Sequence, residues 1–117
     1  MEVESLKIYQ KSYAICLEVY ELTKIYPNEE LYGLVSQIRR AAVSIPSNIA
    51  EGYHRNGNKE FKQFLFIALG STSELKTQIN LSKDLKYIQD DVANILINKL
   101  YELEKMLYGF IKSLNKN

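Results

Sequence analysis

Residues 51–54 of this 117-residue chain read Glu-Gly-Tyr-His, a Glu-x-x-His pattern that contains the only histidine. On a helix this spacing sets a carboxylate and an imidazole one turn apart, which is half of a di-iron bundle site. A complete site needs a second such motif and further inward glutamates, and one histidine cannot supply it. On a helical wheel, Glu51 and His54 also point away from the apolar stripe that contains Ile38. No metal centre is therefore expected. Glu51 has a simpler use, as the first member of an i,i+4 pair with Arg55 in the favourable order. Phosphate-cradling glycine loops, catalytic-triad spacings and zinc-ligand spacings are all missing from the sequence. The expectation is a protein without cofactor or catalysis.

Cations are the next candidates. Net charge is only +1, but it is unevenly spread. Residues 1–30 hold three lysines against six glutamates, whereas residues 38–62 hold Arg39, Arg40, Arg55, Lys59 and Lys62 against Glu51 and Glu60. Two readings compete. Arg39, Arg40, Asn48, Glu51 and Glu74 could form a polar network between helices or subunits, since buried charges persist when paired. Alternatively Arg39, Arg40, His54, Arg55, Lys59 and Lys62 form a basic patch for RNA or DNA phosphates. Repetition in an oligomer would multiply its weak contacts.

The nine tyrosines raise base stacking as a third chemistry. Tyr9, Tyr13 and Tyr20 lie on an apolar stripe and are read as core; Tyr32, Tyr53, Tyr87, Tyr101 and Tyr108 are more open. Cys16, the only cysteine, lies on the same stripe and reads as a buried structural thiol, not a nucleophile.

Four helices must position these groups. Tyr26-Pro27-Asn28, Gly57-Asn58 and residues 86–91 punctuate the chain. Leu6, Tyr9, Tyr13, Cys16, Leu17 and Tyr20 mark the inner side of the first helix. Leu34, Val35, Ile38, Ala41, Ala42, Ile45 and Ile49 do so in the second. Phe61, Phe64, Leu65, Ala68, Thr72, Leu75 and Ile79 serve the third, and Leu96, Leu100, Leu103, Leu107 and Leu114 the fourth. Helices are expected near residues 4–25, 29–56, 58–84 and 90–115, with Asn58 and Asp90 or Asp91 as caps. Pro46 removes a hydrogen bond within the second, yet the stripe keeps its phase from Ile45 to Ile49. The expectation is one kinked helix in an all-α, antiparallel up-down four-helix bundle over residues 1–117.

Five glycines and two prolines fit that helical content. No basic start precedes an apolar run at the N-terminus, and no apolar stretch reaches membrane-spanning length. A cytoplasmic location without membrane contact is expected.

A monomeric bundle needs one apolar stripe per helix, and three of these helices carry a second. Ile8, Ile15 and Leu22 lie roughly opposite Tyr13. Ser36, Val43, Ser47 and Ala50 lie opposite Ile38. Phe66, Gly70 and Ser73 sit far from Phe61. Large exposed apolar patches mark interfaces, so these residues predict a homo-oligomer.

The central stretch is specific enough to compare. Gly33-Leu34, Gln37, Arg39-Arg40-Ala41-Ala42, Val43-Ser44-Ile45-Pro46 and Asn48-Ile49-Ala50-Glu51-Gly52 resemble the signature of one family of small four-helix-bundle proteins. These were first noticed as open reading frames in intervening sequences of bacterial 23S ribosomal RNA genes. Phe61, Phe64-Leu65, Ala68, Gly70-Ser71 and Glu74-Leu75 resemble the next part of the pattern, and Leu6 and the Tyr26-Pro27 break its start. The resemblance weakens after about Ile88. The family often has tryptophan near Tyr9, and this chain has none. The resemblance implies an antiparallel bundle and a ring-shaped homopentamer. Related accessory proteins of diversity-generating retroelements share the fold and engage nucleic acid and a reverse transcriptase through a basic pentameric surface. The family name records where the genes were found, not an activity. Two functions follow as expectations: an RNA- or DNA-binding accessory protein, or an oligomeric adaptor that binds only protein.

Overall fold

A computed structural model describes residues 2–115. Four helices account for most of them: α1 (Lys7–Thr23), α2 (Leu34–Tyr53), α3 (Asn58–Asp84) and α4 (Asp90–Leu114). Single 3-10 turns stand before α1, at Val3–Ser5, and before α2, at Asn28–Glu30. No strand occurs among the described residues.

Three of the four inner stripes are where periodicity puts them. Ile38, Ile45 and Ile49 of α2, Leu65, Leu75 and Ile79 of α3, and Leu100, Leu103 and Leu107 of α4 are sealed from solvent. Helix α2 runs unbroken through Pro46, which is itself buried. The proline has no N–H to give the Ala42 carbonyl, yet the helix persists because both sides of it are anchored in the core.

Helix α1 is rotated relative to expectation. Its inner residues are Ile8, Ser12, Ile15, Val19 and Thr23, so Ile8 and Ile15 belong to the chain's own core and not to an outer stripe. Tyr13, Leu17 and Tyr20 face outward, at 49%, 61% and 40% exposure. The inner face tolerates hydroxyls because each is satisfied within the helix. Ser12 donates to the Tyr9 carbonyl (3.0 Å) and Thr23 to the Val19 carbonyl (2.8 Å).

Boundaries shift where caps decide them. Sequence breaks predict residues 29–33 in α2, but the helix starts only at Leu34, after Gly33 leaves helical geometry. The α2–α3 turn uses Gly57 at φ 104°, a left-handed conformation that glycine adopts without strain. Gly57, not Asn58, precedes α3, and Asn58 instead donates to the Leu114 carbonyl (3.2 Å). Gln89 precedes α4, while Asp91 accepts a hydrogen bond from the Val92 N–H. Just beyond the end of α3, Lys86 adopts φ 68°. There the Tyr87 N–H reaches the Ser82 carbonyl and the Lys86 N–H the Lys83 carbonyl, both at 3.0 Å.

Cross-helix contacts pair opposite ends. Arg39, early in α2, reaches Thr23 at the end of α1, and Lys62, early in α3, reaches Asn115 beyond α4 (2.6 Å).

Candidate functional site

The outer sides of α1 and α2 form one continuous surface. Tyr13, Leu17, Tyr20 and Val43 are exposed there, with Tyr9 and Cys16 half-buried between them, around a groove of about 490 Å³ floored by Pro46, Ser47 and Ala50. Tyr9 and Tyr13 stack with centroids 5.8 Å apart. Burial pushes the Cys16 thiol above its ordinary value, so little of it is thiolate; the cysteine is half-buried in this groove, not deep in the core. The second α2 stripe does face outward: Val43 and Ser47 are exposed, and Ser36 and Ala50 half-buried. So do Phe66, Gly70 and Ser73 of α3, and a methyl group added at Gly70 would meet no atom within 4 Å. Leu22 is half-buried beside α4. Helical periodicity predicts Tyr13, Leu17 and Tyr20 inside. The signal available was β-branching: Ile8, Ile15 and Val19 share a face at helical spacing, and the tyrosines carry hydroxyls that can stay wet.

The six basic candidates do not form one patch. Arg40 lies thirteen residues before the end of α2 at Tyr53, or about 20 Å along its axis at 1.5 Å per residue, and Arg55 stands in the turn beyond that end. Arg39 is spent on α1: its Nε–H donates to Thr23 Oγ1 (2.9 Å), its Nη2 to the Tyr20 carbonyl (3.3 Å), and its guanidinium lies 4.7 Å from the Tyr20 ring centre. Arg40 is exposed and has no hydrogen-bond or ion-pair partner among the described residues. His54, Arg55, Lys59 and Lys62 gather at the α2–α3 turn. Arg55 pairs with Glu51 (2.6 Å) and covers the Phe64 ring (5.0 Å), while Lys62 binds Asn115. His54 and Lys59 are exposed.

The expected polar network is three separate contacts. Arg39 reaches α1, and Glu51 holds Arg55. Asn48 donates to Ser44, whose hydroxyl meets that of Ser71 on α3 (2.8 Å). Arg40 and Glu74 line one groove without pairing. Distance along α2 separates these groups into different turns. Glu51 and His54 do not converge on further ligands, and no group of three metal-ligating side chains occurs among the described residues. Among the same residues, no helix is long and apolar enough to cross a membrane.

Comparison with known proteins bears on the whole arrangement. A crystal structure of a protein of unknown function from the S23 ribosomal protein family of Bacteroides thetaiotaomicron superposes with a TM-score of 0.83 at 27% identity. The match covers 90% of this chain and 98% of that one. No curated protein sequence matches. The family model of the 23S rRNA-intervening sequence protein matches residues 4–109, which include the four-helix core and the α1–α2 surface. The chain belongs to the family of 23S rRNA-intervening sequence proteins.

Proposed function

We propose that this protein acts by binding rather than catalysis, as a homo-oligomer assembled through the outer face of α1 and α2. The observation that carries this reading is the joined exposure of Tyr13, Leu17, Tyr20 and Val43 around one groove. Contiguous apolar surface of this kind gains free energy when covered. Five copies is the stoichiometry that the family resemblance implies. Light scattering at micromolar concentration tests the reading. Leu17→Glu should shift the assembly toward monomer while leaving helix content unchanged, because Leu17 is 61% exposed. A wild-type protein that is monomeric throughout would overturn it.

A second reading is favoured by the gathering of Arg55, Lys59 and Lys62 at the α2–α3 turn, beside the last turn of α4 with Lys112. Repeated around an oligomer, this end would attract phosphates without reading bases. Gel-shift titrations with structured RNA, single-stranded RNA and duplex DNA test it. Binding should fall steeply with salt and weaken when Lys59 and Lys62 are both changed to glutamate. No binding to any of the three would leave the protein-adaptor function in its place.

A further inference from the structure

At the loop end of the proposed assembly face, and sharing Tyr20 and Val43 with it, α1, the α1–α2 connection and α2 line a second, open groove of about 660 Å³, a size within the range of ligand sites. Leu31, Val35 and Val43 supply apolar surface, and Tyr20 and Tyr32 supply rings. Arg39 and Arg40 supply charge, and no acidic residue lines the groove. The two aromatic-cation elements differ in state. Tyr20 is already covered by the Arg39 guanidinium, which Thr23 also holds. Tyr32, by contrast, is 92% exposed, with its ring available to a flat partner. Arg40, exposed and unpaired among the described residues, carries five donors suited to a phosphate.

We infer that this groove binds a nucleotide, with the base stacked on Tyr32 and the phosphate held by Arg40. Charge complementarity selects the anion: two arginines line the groove, Arg39 held by Thr23 and Tyr20 and Arg40 with unspent donors. The exposed tyrosine selects the ring, because aromatic stacking accepts any base. Glu74 lines the neighbouring groove, which Tyr32 and Arg40 also border. It makes no ion pair with Arg40 among the described residues, so a phosphate has no such pair to break. The inference does not rest on the basic α2–α3 end, which lies at the other end of α2.

The shared chemistry, a phosphate beside a base, occurs in a free nucleotide and at a strand end. The test therefore titrates adenosine monophosphate and a short 5′-phosphorylated oligoadenylate into the wild-type protein at low salt. NMR of the Tyr32 ring and the Arg40 Nε–H reports binding, with adenosine and inorganic phosphate as partial ligands. At least one of the two phosphorylated ligands should shift both signals saturably, and the arm that binds tighter identifies the source. Each partial ligand should bind at least about tenfold weaker. Arg40→Gln and Tyr32→Ser should each weaken binding by about tenfold or more; both side chains are exposed, so the fold is retained. Three results would overturn the inference. One is no saturable shift with either phosphorylated ligand. Another is binding that both variants leave unchanged. The third is binding seen only in Leu17→Glu, which would mean that the assembly covers the groove.

Discussion

The α2–α3 seam and the α1–α4 seam solve the same packing problem in opposite ways. Between α2 and α3 the backbones close on small residues. Gly52 faces Phe61 and Phe64 so tightly that an added methyl carbon would lie 2.7 Å from Phe64 Cβ, and Ser44 touches Ser71 through their hydroxyls. Between α1 and α4 the helices stand further apart at the loop end. Leu22, Ile25, Val92 and Ile95 border an open groove of about 400 Å³. Long charged side chains bridge this seam, Lys99 to Glu18 (2.5 Å) and Lys11 to Glu102 (3.6 Å). The first seam depends on shape, with no room for added volume. The second depends on flexible, solvent-exposed contacts that adjust.

The largest expected effect strikes the tight seam. Gly52→Ala should cost about 1–3 kcal/mol, because overpacking outweighs the better helix propensity of alanine. Urea unfolding monitored by circular dichroism would show a lower midpoint, and an unchanged midpoint would mean that the seam yields. Gly70→Ala is the matched control on the open side of α3. With no neighbour within 4 Å, it should stabilise by about 1 kcal/mol through helix propensity alone. A loss instead would show that another copy packs against Gly70.

A smaller effect belongs to the loose seam. Lys99→Met should cost about 0.2–1 kcal/mol at low salt, as exposed ion pairs do, and the difference should shrink in high salt. Thermal melts at two ionic strengths would measure it; equal costs at both would show that Lys99 acts through packing.

The smallest effect is a pH dependence at the loop end, where Glu30 ties the α1–α2 connection to the α3–α4 turn. Tyr87 donates to Glu30 Oε2 (2.7 Å) and the Leu34 N–H to Oε1 (3.2 Å). These bonds hold the Glu30 carboxyl below its ordinary value of about 4.5. Its contribution to stability is therefore present above that value and is lost as pH falls through the lowered folded one. Melting wild type and Glu30→Gln at about pH 7 and at about pH 3 should show a difference that narrows on acidification. A constant difference would remove Glu30 from the acid response.

Much of the fold was legible because three helices separate their apolar and polar sides cleanly. The period of 3.6 residues then leaves one way to bury Ile38, Leu75 or Leu103. Helix α1 was misread because both of its sides look usable as core. Ser12 and Thr23 appear polar in sequence, and only the folded backbone shows their hydroxyls satisfied. Its tyrosines appear apolar, and only the position of α2 shows them outside.

The sequence by itself determined the helix count, the register of α2, α3 and α4, and the family, since these depend on local periodicity and on residue patterns along the chain. Tertiary structure decided the facing of α1 and the division of the cations into separate groups. A helix displaces residues by a fixed rise, so Arg40, close to Arg55 in a charge count, lies about 20 Å along the axis from the end of α2 that leads to Arg55. It also decided which charges were already spent, on Thr23, Glu51 or Asn115, and which were left open, because pairing depends on distances between helices that no spacing along one of them contains.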